Sequence, residues 1–131
     1  YPSVGLRIAG HDLYFDWSGW PWERLAVDLY HLAVREGKQA WITEAQAEPW
    51  EPARLVYTDA PPSRSVRPLT ATRTFDRLQA VGFPYILLWG VEHWFMRLQR
   101  YQDATWWNAL GPLFLRPPAS DQALGSAGAT P

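Results

Sequence analysis

The chain has no cysteine, so it forms no disulfide, offers no thiolate to a metal and has no cysteine nucleophile. That composition fits the cytoplasm and equally a secreted protein held together by an ordinary core. Lysine occurs once, at Lys38, asparagine once, at Asn108, and methionine once, at Met96. Charge of neither sign accumulates: 12 basic against 13 acidic residues leave a net charge of −1, with no basic excess for nucleic acid. No apolar run approaches the roughly 20 residues that span a membrane. The longest, Tyr85 to Trp89, is the size of a strand. His11, His31 and His93 lack metal-ligand spacing.

Tryptophan, by contrast, is abundant. There are nine in 131 residues, and Trp17, Trp20, Trp22, Trp50, Trp89 and Trp94 fall in loops or at element ends, where a core does not need them. Indole faces stack well on the flat faces of sugars. The alternative is that tryptophan serves simply as the large packing residue of this chain. The length is enough for one domain with a modest core.

Residues 3–8 alternate weakly and predict a short strand; a second strand at 13–15 is the less favoured reading of a polar, aromatic loop over 9–20. Pro21 opens a helix over about 22–36, with Leu25, Leu29, Leu32 and Ala33 on its apolar face and Gly37 as its C-terminal cap. Residues 39–44 read as a buried strand ending at Glu44. A proline-rich loop follows to Leu69, longer than a mere connection requires. Thr70 caps the next helix, whose stripe is Ala71, Phe75, Leu78 and Val81 and whose stop is Gly82. Tyr85–Trp89 then reads as a strand buried on both faces. A last short helix covers 103–110, and residues 116–131, rich in Pro, Ala, Ser and Gly, read as a disordered tail after one domain over 1–115.

Strand, helix, strand, helix, strand, helix implies a parallel sheet with helices outside. Function in such sheets gathers at the carboxyl ends of the strands. There this sequence places His11 and Tyr14, then Glu44 to Trp50, then Trp89 to Trp94.

Ile42-Thr43-Glu44, and one helix later Leu87-Leu88-Trp89-Gly90, resemble the last strands of a (β/α)8-barrel retaining glycoside hydrolase of the cellulase-like group that includes family 5. Gln46-Ala47-Glu48-Pro49-Trp50 and Val91-Glu92-His93-Trp94 look like motifs of bacterial cellulase-like proteins. The resemblance spans about residues 1–114. It implies a partial (β/α)8 TIM barrel, roughly its last three βα units, acting on a β-linked glycan with no metal or organic cofactor. It implies Glu44 as the nucleophile, Trp89 as the floor of the cleaved subsite and Tyr14 as a hydrogen-bond donor to Glu44. His11, Gln46, Glu48, Trp50, Glu92, His93 and Trp94 become candidate sugar contacts, each also with a packing role open to it.

The resemblance departs at one point. The group carries its acid/base glutamate in an Asn-Glu motif after the fourth strand, and no Asn-Glu occurs here. A retaining mechanism needs two carboxyls about 5–5.5 Å apart. The partner of Glu44 is therefore expected upstream of Tyr1, in the remainder of the same barrel, with a Glu44–Glu92 pair as the alternative within this chain. Glu48 has a bracing role in the loop open to it, and Glu92 an ion pair with Arg97. A fragment of this kind is expected to leave sheet edges and one inner face uncovered. No signal segment is visible; the resemblance leans towards an extracellular or envelope location. A non-catalytic carbohydrate-binding protein on a barrel scaffold is the second reading. An aldol or isomerase barrel is the third, weakened by the lack of a metal triad, a phosphate-binding glycine loop and any suitable lysine besides Lys38.

Overall fold

The computed structural model describes residues 3–8, 11–16, 22–50 and 65–116. Its order is β1 (Ser3–Ile8), β2 (His11–Asp16), α1 (Trp22–Arg35), β3 (Ala40–Gln46), α2 (Pro68–Val81), β4 (Ile86–Trp89), α3 (Val91–Tyr101) and α4 (Thr105–Leu110), closed by a 3-10 turn at Gly111–Leu115. The chain is a mixed α/β protein. The strands lie in the order β2-β1-β3-β4.

The sheet departs from the expectation of three adjacent parallel strands. β1 runs antiparallel to both β2 and β3, and β3 runs parallel to β4. β2, β3 and β4 therefore share one direction, and β1 is wedged between β2 and β3 against it. The first parallel strand is β2, the less favoured of the two sequence candidates. A six-residue antiparallel pairing satisfies the backbone of β1 and β2 together, which one strand and a loop would not.

One face of the sheet is packed. Val4 and Leu6 of β1, Ala40, Ile42 and Ala45 of β3, and Ile86 and Leu88 of β4 meet Ala26, Leu29, Tyr30 and Ala33 of α1 and Leu78 and Val81 of α2. The apolar stripe of α1 is rotated from the expected one: Leu25 and Leu32 stay largely exposed while Ala26 and Tyr30 turn inward. Small residues let that helix approach the sheet, and Tyr30 donates its hydroxyl to the Gly82 carbonyl at 2.7 Å. Gly37 and Gly82 have positive φ, as expected of C-terminal caps. α2 begins at Pro68 rather than at a Thr70 cap, since proline suits the first turn.

The opposite face is bare among the described residues. Leu87 is 53% exposed and Tyr85 52%, so β4 is covered on one side only, not both. A second core lies beyond the carboxyl ends of β3 and β4, where Ala47, Val66, Ala71, Trp94, Trp106, Leu110 and Leu113 are buried together. It exists because α3 forms. The sequence reading ended β4 in a polar, aromatic loop, whereas Val91–Tyr101 is helical and carries Trp94 inward. The expected tail lies outside the described residues, apart from Arg116. No described helix is long and apolar enough to cross a membrane.

Candidate functional site

The site begins with an irregularity in β3. Leu6 pairs with Ile42 but Gly5 pairs with Glu44, and on the other side Ile42 pairs with Ile86 but Ala45 with Leu88. Both neighbours step over one extra residue, Thr43, so β3 carries a bulge there. Strict alternation after Ile42 would aim Glu44 into the helix-packed core, where a carboxylate is costly. The bulge turns Glu44 to the bare face and Ala45 to the core. The Thr43 hydroxyl, buried in the bulge, makes no hydrogen bond. Glu44 is thus inside the strand rather than at its end, because β3 runs two residues further than expected.

Across the sheet, Glu44 faces Gly5, and Gly5 faces Tyr14. Directly paired residues share a face. In backbone register Tyr14 is therefore level with Glu44, two strands and about 10 Å away across Gly5.

Beyond Glu44 the chain turns sharply and stays buried. Gln46 is 5% exposed and Glu48 4%. The Gln46 amide donates to the Glu48 carbonyl at 2.9 Å, and the Ala47 amide continues the ladder by donating to the Trp89 carbonyl at 2.8 Å. Gly90 takes φ 119° to begin α3, which brings its Cα against the side chain of Glu48. Burial, and then the like charge of Glu92 in the first turn of α3, push the Glu48 carboxyl above its ordinary value. Trp50 is exposed and meets Trp89 edge to face, with ring centroids 5.6 Å apart. The Trp50 amide donates to the Ser65 hydroxyl, which joins the two described ends of the long loop; residues 51–64 of that loop lie outside the described residues.

Glu44, Gln46, Glu48, Trp50, Trp89 and Glu92 therefore converge at the carboxyl end of β3 and β4. Three other candidates do not join them. His11 starts β2 opposite Ile8, and Ile8 pairs with Ala40, so His11 lies at the other end of the sheet. Four residues of strand put that level about 13 Å from Glu44. Trp94 is fully buried and spends its indole N–H on the Ala47 carbonyl at 2.6 Å. His93, 2% exposed, stands edge-on to Trp106 at 5.3 Å. Burial first, then Arg97, lower its pKa to about 4, so it is neutral near pH 7. Neither offers a face to a sugar. Trp94 instead supports the turn that carries Glu48.

Glu92 does not take Arg97. Both Nε and Nη2 of Arg97 hold one oxygen of Asp103, at 2.9 and 2.7 Å, while the other oxygen accepts the Thr105 amide at 2.9 Å and starts α4. Hydrogen bonds from Thr105, followed by those from Arg97, hold the Asp103 carboxyl down to about 2. Asp103 sits just before the helix rather than in it. Gly90 was not singled out from the sequence, although the Trp-Gly step at the end of an apolar run was the available signal. Among the described residues no group of three or more His, Asp or Glu side chains is arranged to hold a metal. No protein-family model, curated protein or solved structure matches the chain.

Proposed function

We propose that this chain carries the nucleophile and the aromatic platform of a retaining β-glycosidase, with Glu44 as the nucleophile. The observation that carries the reading is the bulge at Thr43, which turns a half-buried carboxylate out of the core beside the Trp50–Trp89 pair. In this reading the parallel pair β3 and β4 corresponds to the last strands of a (β/α)8 barrel, the bare face of the sheet is its inner wall, and the antiparallel β1 between β2 and β3 departs from the barrel pattern. A carboxylate of the preceding chain supplies the proton to the leaving oxygen, about 5–5.5 Å from Glu44. Glu44 attacks the anomeric carbon, the glycosidic C–O bond breaks, and water later displaces the ester.

Glu44→Ala in the full-length protein tests it on an aryl β-glycoside. Turnover should fall on the order of 10⁴-fold or more while the far-ultraviolet spectrum is kept. Azide, small enough to occupy the vacated space, should restore part of it with inverted product. A variant that still turns over at the parent rate sinks the assignment. The exposed Trp50 edge also supports a second reading, glycan binding without hydrolysis, which predicts that the parent protein binds oligosaccharides and cleaves none.

A further inference from the structure

Among the described residues β4 is an edge strand, since the order β2-β1-β3-β4 leaves it paired on one side only. The carbonyls of Tyr85 and Trp89 accept the amides of Ile42 and Ala47, at 2.9 and 2.8 Å. Backbone groups alternate in direction along a strand, so Leu87 also turns towards β3. Ile86 and Leu88 aim their N–H and C=O groups the other way, along the edge. Tyr85 and Leu87 are half exposed, and an open hollow of about 250 Å³ runs beside β4, lined by Phe75, Phe83, Ile86, Leu88, Leu113 and Phe114. Sheet edges are ordinarily kept from pairing by charge, proline or a bulge. The other edge, β2, carries Asp12 and Asp16. β4, Ile-Leu-Leu-Trp, has no charge and no proline, and the bulge beside it belongs to β3.

We propose that β4 is a self-complementary interface, through which two copies of this chain pair antiparallel about a two-fold axis at Leu87. In that register Ile86 of each copy faces Leu88 of the other, and each such pair exchanges both of its backbone hydrogen bonds. All four outward groups of each strand are then satisfied. Leu87 meets Leu87 of the second copy in the closer, non-hydrogen-bonded kind of pair, and Tyr85 lies across from Trp89. Each of these three side chains thereby faces an apolar or aromatic one. A two-fold interface uses the same patch on both partners, so this edge needs no chain of different sequence to match it. The inference goes beyond the glycan reading and does not rest on it. A strand of the preceding chain, which a closed barrel would seat on β4, is the competing occupant.

The test is sedimentation equilibrium of the 131-residue chain over a series of concentrations. The mass should rise from 15.0 kDa to twice that value. Leu87→Lys sets two ammonium groups against each other on the axis and should raise the dimer dissociation constant roughly a hundredfold or more. Mixing it with Leu87→Glu, which pairs opposite charges there, should restore a heterodimer. Leu87 is half exposed, so neither charge puts folding at stake. The register has its own check, because the chain contains no cysteine. Oxidised glutathione should convert Leu87→Cys to a covalent dimer, since the Cα atoms of such a pair lie about 4.5 Å apart, within disulfide reach. It should not do so for Tyr85→Cys, whose two copies stand four residues, about 13 Å, apart along the strands. A chain that stays monomeric at every concentration overturns the proposal and leaves the glycan reading intact. A dimer that Leu87→Lys leaves unchanged, or one that Tyr85→Cys cross-links as readily as Leu87→Cys, overturns it as well.

Discussion

Gly90 and Glu48 pack so closely that no other residue fits between them: a Cβ on Gly90 would lie 2.6 Å from the Glu48 Cβ and 2.9 Å from its Cγ. The same glycine holds φ at 119°, which side-chain-bearing residues adopt only under strain. One residue thus starts α3 and gives Glu48 its place against the end of β4. Gly90→Ala should cost about 2–4 kcal/mol from backbone strain and overpacking together. A urea melt measures it, and a midpoint equal to that of the parent would show that the contact is dispensable.

Two tryptophans of the aromatic set should separate cleanly by their effects. Trp94 is buried and bonded to Ala47, so Trp94→Phe leaves a buried carbonyl without its donor and a void beside it. That should cost about 2–4 kcal/mol. Trp50 is 56% exposed, so Trp50→Ala should change stability by about 0.5 kcal/mol or less. Glycan affinity of the folded protein should respond in the opposite way, falling for Trp50→Ala and holding for Trp94→Phe. Thermal melts paired with oligosaccharide titration decide it. An unchanged affinity in Trp50→Ala would remove that ring from the binding surface.

The sequence made the repeating elements legible and left the directions of their pairing hidden. Leu29, Ala33, Ala71 and Leu78 announce helices by their spacing, and Gly37 and Gly82 mark where those helices stop. The run from Tyr85 to Trp89 announces a strand. Whether β1 runs with β3 or against it depends on hydrogen bonds between residues far apart in the chain, and no local pattern carries that. His11 therefore lies at the end of the sheet opposite to the one its place in the sequence suggests. The bulge at Thr43 is similarly silent, because Ile-Thr-Glu-Ala fits either alternation and only the pairs on both sides reveal the extra residue. Glu92 and Arg97 stand five apart on α3, but the carboxylate of Asp103 meets Nε and Nη2 of the guanidinium from the next turn.

His93, Asp103 and Glu48 predict a stability profile whose slopes have opposite signs. His93 is held at about 4, below its ordinary 6.5, so the unfolded chain binds more protons between those values. Its contribution is full above pH 6.5 and is lost as pH falls towards 4, an interval equivalent to roughly 3 kcal/mol. Asp103, held at about 2 below its ordinary 3.8, extends the loss further into acid. Glu48 acts the other way. Its pKa is raised above 4.5, so the folded chain binds the extra proton, and stability declines as pH rises through that raised value. Glu48→Gln should therefore melt at a higher temperature than the parent near pH 8 and lose that advantage at pH 4. His93→Gln should flatten the acid limb between pH 6.5 and 4, even if the variant is less stable at neutral pH. Urea midpoints taken from pH 3 to 9 on the three proteins measure both effects. A Glu48→Gln curve parallel to the parent at every pH would mean that this carboxyl titrates as it does in the unfolded chain, and that Glu92 does not act on it.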